Sequence, residues 1–129
     1  MWKLVSVVSV VLAFVALTVA SSAAAKGGSD PVVKQGSCSG SATWKLKAKI
    51  DGGAIETEFE VDQNIVGKKW RVVIRQDGVK RFSGIRTTKA PSGSFAVRRL
   101  LDNTAGSDRI VAKARALATG QTCRGALTI

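Results

Sequence analysis

The sequence predicts an all-β fold, a seven-stranded antiparallel β-sandwich, and three observations lead there. From Thr43 onward apolar and polar residues alternate with a period of two, the pattern of strands buried on one face. Clusters of Gly, Asp, Asn and Pro interrupt that alternation about every 8–12 residues, as a series of short strands requires. Two cysteines, Cys38 and Cys123, bracket the alternating region, so a single bridge between them would close nearly all of it.

The segment before this region reads as an export signal. Lys3 supplies a positive start, residues 4–19 are almost unbroken apolar sequence, and residues 21–25 are small, which places cleavage after Ala25. The alternative is an uncleaved anchor, but the apolar run is shorter than the roughly 20 residues of a spanning helix. Export would put the protein in a secreted, extracellular location, with envelope association open. There the two thiols most simply pair with each other. A redox or metal role fits them poorly, because no Cys-x-x-Cys spacing and no histidine occurs. Residues 26–36, rich in Gly, Ser and Lys without periodicity, read as a flexible leader. The domain is then expected over residues 37–129, enough for one modest core.

The first hairpin fixes its own register. Trp44, Leu46, Ala48 and Ile50 alternate with three lysines, and Ile55, Thr57, Phe59 and Val61 alternate with three glutamates. A two-residue turn at Gly52-Gly53 sets Ile50 opposite Ile55. Lys49 then faces Glu56, Lys47 faces Glu58 and Lys45 faces Glu60, while Leu46 meets Phe59 and Trp44 meets Val61. A slip of one residue would set charge against apolar groups along the whole ladder. The third strand, residues 68–75, alternates around Trp70, Val72 and Ile74. Gln76-Asp77-Gly78 turns into a fourth over residues 79–87. After a Pro-Gly loop, residues 94–100 form the fifth, with Phe95 and Val97 inward. Residues 109–117 place Ile110, Ala112, Ala114 and Ala116 on one face. Their alanines and cations also suit a helix, but the segment is short and lies between turns and strands. The last strand spans residues 121–129.

This succession resembles the immunoglobulin and fibronectin type III superfold, with Trp70 where such domains often carry a core tryptophan. The resemblance is architectural and covers residues 36–129. Small secreted actinobacterial proteins with one Ig-like domain are the nearest type. The inter-sheet cysteine pair of antibody domains and the tyrosine corner are both missing, since the chain has no tyrosine. The superfold implies that the third, sixth and seventh strands share one sheet.

An enzyme is not expected. Without histidine the Ser-His-Asp, Cys-His and common zinc arrangements are excluded, and Glu56, Glu58 and Glu60 face lysines rather than one another. No Ser-x-x-Lys or phosphate-binding glycine loop occurs, and no cofactor is implied. The charge pattern is more informative. The chain carries a formal net charge of +11. Residues 26–62 hold five cations and six anions, whereas residues 63–129 hold fourteen cations against Asp77, Asp102 and Asp108. With Trp70, Ile110 and Leu127 inward, Arg71, Arg75, Arg109, Lys113, Arg115 and Arg124 point outward from one sheet as a candidate anion-binding face. Arginine suits bidentate contact with phosphate, sulfate or carboxylate. A solvated face that deters edge pairing is the plain alternative. The expectation is a secreted, non-enzymatic Ig-like module that binds anionic envelope or extracellular polymers. Specific nucleic-acid recognition is not expected, because the aromatic residues belong to the core pattern. A small-molecule carrier, similar at scaffold level to the apoproteins of enediyne chromoproteins, and a cationic toxin or antimicrobial are the alternatives.

Overall fold

A computed structural model describes residues 30–129; the expected signal segment, its cleavage site and residues 26–29 lie outside the described residues. Eight strands form: β1 (Val32–Ser37), β2 (Thr43–Asp51), β3 (Ala54–Asp62), β4 (Lys69–Gln76), β5 (Val79–Thr87), β6 (Ser94–Asp102), β7 (Arg109–Ala116) and β8 (Thr122–Thr128). They make two antiparallel four-stranded sheets, ordered β1-β2-β3-β6 and β5-β4-β7-β8. This two-sheet sandwich is compatible with an Ig-like architecture. The three strands expected to share a sheet, here β4, β7 and β8, do so.

Alternation builds the core directly. Leu46, Ala48, Ile55, Phe59 and Val61 from the first sheet, and Trp70, Val72, Ile74, Ile110 and Ala112 from the second, are fully buried between the layers. Trp70 satisfies its indole N–H by donating to Gln63 Oε1 at 2.9 Å, so the largest core side chain leaves no polar atom stranded. The β2–β3 ladder has the register derived above, pair for pair from Trp44–Val61 to Ile50–Ile55. At the next hairpin Asp77 and Gly78 both adopt left-handed backbone, with φ of 48° and 82°. That is the tight-turn geometry whose twist matches the flanking strands.

The strand count is eight, not seven, and the difference lies in the stretch read as a leader. Val32–Ser37 pairs with β2 from Val32–Ala48 to Ser37–Thr43. Little of it is buried, because an edge strand is held by its backbone hydrogen bonds and needs no apolar period. The ordered domain therefore begins before residue 37. Trp44 explains the docking. A Cβ at Gly36 would stand 3.0 Å from the indole, and one at Gly125 of β8 would stand 2.6 Å from it. Both glycines leave the ring room against the backbone, so one tryptophan seals β1, β2 and β8 together. The Cys38–Cys123 disulfide lies on the same side of the sandwich, joining the residue after β1 to β8 across 85 positions.

The opposite side, where β5 and β6 are the sheet edges, is covered differently. Phe82 packs inward there, with the guanidinium carbons of Arg86 and Arg99 at 4.9 and 4.6 Å from its ring centre. One end of the sandwich also holds a polar core that the sequence did not announce. Asp108 is fully buried. Its Oδ1 accepts from Gln76 Nε2 at 3.0 Å and from Thr104 Oγ1 at 2.5 Å, and its Oδ2 accepts the Thr104 N–H at 3.2 Å.

Candidate anion-binding face

Strand period and register gather the six cations singled out in the sequence. On β4, Arg71 and Arg75 flank the half-buried Val73; on β7, Arg109, Lys113 and Arg115 project the same way; on β8, Arg124 joins them. All six are exposed. Arg71 stands opposite Arg115 in the β4–β7 ladder, and Lys113 stands opposite Arg124 in the β7–β8 ladder. Two shallow adjoining grooves run across the face. One is lined by Arg75, Arg109, Lys113 and Arg124, the other by Arg71, Arg75, Lys113, Arg115 and Arg124. Val73 floors both, with Val111 added in the first.

Two more cations belong to this face and were missed. Lys69 opens β4 in phase with Arg71, and Lys80 of β5 pairs with Arg75. A register irregularity after Ile74 brings Lys80 there, leaving Arg81 free to donate to Gln76 Oε1 at 3.2 Å. Periodicity along one strand carries no signal for a bulge in its partner. The face thus presents cations on all four strands. One carboxylate, Asp77 of the β4–β5 turn, also lines the first groove, and its side chain accepts the Arg109 backbone N–H at 2.9 Å.

The opposite outer face has a different electrostatic design. In the β2–β3 ladder each lysine meets a glutamate, as expected. The short contact, however, comes from β6: Arg98 Nε lies 2.7 Å from Glu58 Oε2 and faces it across the β3–β6 ladder. That hydrogen bond first, and the charge of Glu58 second, raise the Arg98 pKa further above its already high ordinary value. Glu58 thus faces Lys47 in register, while its ion pair is made with Arg98. Cross-strand opposites stabilise a ladder and like charges directly opposite destabilise it, each by roughly 0.2–1 kcal/mol. One sheet uses the favourable arrangement. The other repeats the unfavourable one at Arg71–Arg115, Lys113–Arg124 and Arg75–Lys80.

Among the described residues no cluster of three or more His, Cys, Asp or Glu is placed to hold a metal ion, and no helix is long and apolar enough to cross a membrane. No protein-family model matches the chain, nor does any curated protein or solved structure.

Proposed function

We propose that the protein is a secreted, non-enzymatic Ig-like module that adheres to anionic extracellular or cell-envelope polymers through the outer face of the β5-β4-β7-β8 sheet. The observation that carries this reading is the three like-charged cross-strand pairs on that face. Folding gains nothing from them, and a polyanion laid along the grooves relieves each one. Export through the N-terminal segment, with cleavage after Ala25, belongs to the same reading and is supported by the apolar run, the small residues that follow it and the disulfide. Kinship with fibronectin type III-like domains is supported by the strand succession and the sheet sharing of β4, β7 and β8.

The carrier alternative needs space between the sheets. Trp70, Phe59, Leu46, Ile55 and Ile74 occupy that layer with no exposure, which favours a surface mode of binding instead.

The test is retention on an immobilised polyanion such as polyphosphate. Binding that displaces counterions weakens steeply with salt, by roughly one power of salt concentration for each phosphate contact. Replacing Arg71, Arg75, Lys113 and Arg115 by Gln should abolish retention at moderate salt and leave the melting temperature unchanged or slightly higher. The same number of contacts should disappear from the salt slope. Replacing Lys45, Lys47 and Lys49 by Gln is the control and should have a small effect on retention. Equal losses from both sets would mean that net charge governs binding, and the dedicated face would be wrong.

A further inference from the structure

Charge is also unevenly divided between the loops at the two ends of the sandwich. The end formed by residues 52–53, 77–78 and 103–108 carries Asp51, Asp77 and Asp102 at or beside its turns. The opposite end is built from residues 38–42, 63–68, 88–93 and 117–121, and these loops contain no Asp or Glu. They contain Lys68 and Lys89, with Lys69 immediately following. Asp62, the last residue of β3, lies at their base on the outer face of its sheet, where its side chain accepts the Asn64 N–H at 3.1 Å.

This cationic end displays aliphatic side chains on a fixed backbone. Ile65, Val66 and Leu117 are 50%, 55% and 52% exposed. The loop bearing the first two is held tightly by the buried Thr88. That hydroxyl donates to the Ile65 carbonyl at 2.6 Å and accepts the Lys68 N–H at 2.9 Å, while the Thr88 carbonyl accepts the Gly67 N–H at 2.8 Å. The backbone also abuts Gly93, where a Cβ would fall 2.3 Å from the Ile65 nitrogen. Leu117 is tied to the same end by its N–H bond to the Lys69 carbonyl at 2.9 Å. A mobile loop could turn these side chains away from water; a clamped one holds them out.

We infer that this tip inserts its aliphatic residues into anionic lipid bilayers, with Lys68, Lys69 and Lys89 at the headgroup level. Lysines rimming an aliphatic patch match a surface that is negative outside and hydrocarbon beneath. A protein partner fits less well: the buried centres of protein interfaces favour aromatic residues, Met and Arg and exclude Lys, and this tip has the reverse composition. The inference uses different residues from the polymer-binding face and does not depend on it.

Co-sedimentation with vesicles of phosphatidylcholine, alone or mixed with phosphatidylglycerol, tests it. The protein should bind the mixed vesicles more tightly than the neutral ones and release as salt rises. Ile65→Asn, Val66→Asn and Leu117→Asn together should weaken partitioning on the order of 100-fold, from the apolar area no longer buried. Polyphosphate retention and melting temperature should not change. Wild type and variant share the same N-terminus, so their difference reads the tip. As a direct probe, Val66→Trp should add fluorescence that is quenched by vesicles with brominated acyl chains. Equal binding by the triple variant, or an added signal that brominated lipid does not quench, would overturn the inference. So would loss of vesicle binding only when Arg71, Arg75, Lys113 and Arg115 are replaced. Lipid-free self-association abolished by the triple variant would assign the tip to a second copy of the chain instead.

Discussion

Asp108 shows how one residue can govern an end of the sandwich. A buried carboxylate is costly unless its oxygens are paired, and here Gln76 and Thr104 supply both side-chain and backbone donors. Its own backbone exchanges hydrogen bonds with Ile129 at 2.8 and 3.0 Å, pinning the chain terminus. Asp108→Ala should therefore cost about 2–4 kcal/mol, because buried donors lose their acceptor as well as the bond itself. Asp108→Asn should fall between, keeping one acceptor oxygen but turning a donor toward the Thr104 N–H. Urea unfolding of the two variants checks the order, and an Asp108→Ala protein as stable as wild type would show that the network is dispensable. None of this was legible in the sequence. Asp108 lies in a run of turn-forming residues, where an aspartate is ordinarily solvated, and only the docking of β4 beneath that loop buries it. Gly36 and Gly125 were silent for a similar reason: each matters through Trp44, which only strand pairing and sheet packing bring against them.

Strands that combine a turn signal with alternation on both faces were the readable ones. In β2 and β3 the apolar face and the charged face constrain the same register independently, so the pairing followed from composition. β1 was missed because an edge strand needs neither constraint, and Lys80 because a bulge shifts its phase. The six cations of the candidate face were legible through period two, given the expected sharing of one sheet by β4, β7 and β8; which loops meet at the tip was not, since that requires the strand directions of both sheets. The register also makes a quantitative expectation. Lys45→Glu, Lys47→Glu and Lys49→Glu together should destabilise the domain by about 1–3 kcal/mol through like charges facing Glu56, Glu58 and Glu60. Adding Glu56→Lys, Glu58→Lys and Glu60→Lys should recover part of that loss but not all. Glu58 also binds Arg98, so its replacement sets two cations opposite each other in the β3–β6 ladder. Restoring full stability needs Arg98→Glu as well. If that sevenfold variant is no more stable than the sixfold one, the β3–β6 ion pair contributes nothing.

At the scale of the whole molecule, the two lateral seams of the sandwich are closed by different means, and this sets how it should come apart. Where β5 and β6 meet, Phe82 and its two arginines cover the gap without a covalent link. Where β1 and β8 meet, the Cys38–Cys123 bridge spans the sheets, with Cα atoms 4.3 Å apart and 85 positions between them. Ser39 N donates to the Thr122 carbonyl at 2.8 Å beside it, and Thr122 N donates back to Ser39 Oγ at 2.9 Å. A loop this long restricts the unfolded chain strongly, worth about 4–5 kcal/mol on the chain-entropy model. The Trp44 indole and the serine–threonine pair also hold this seam, so it can still assemble, more loosely, without the bond. Cys38→Ala with Cys123→Ala should then preserve the strand content at low temperature while lowering the melting temperature by more than about 10 °C, given about 4–8 °C per kcal/mol for a domain of this size. Circular dichroism measures both at once. Hydrogen exchange should quicken first in β1, which the bridge anchors at its end and which buries little of its own surface. Uniform acceleration across both sheets would instead mean that the bridge acts purely on the unfolded state, and loss of strand content at low temperature would mean that the seam cannot assemble without it.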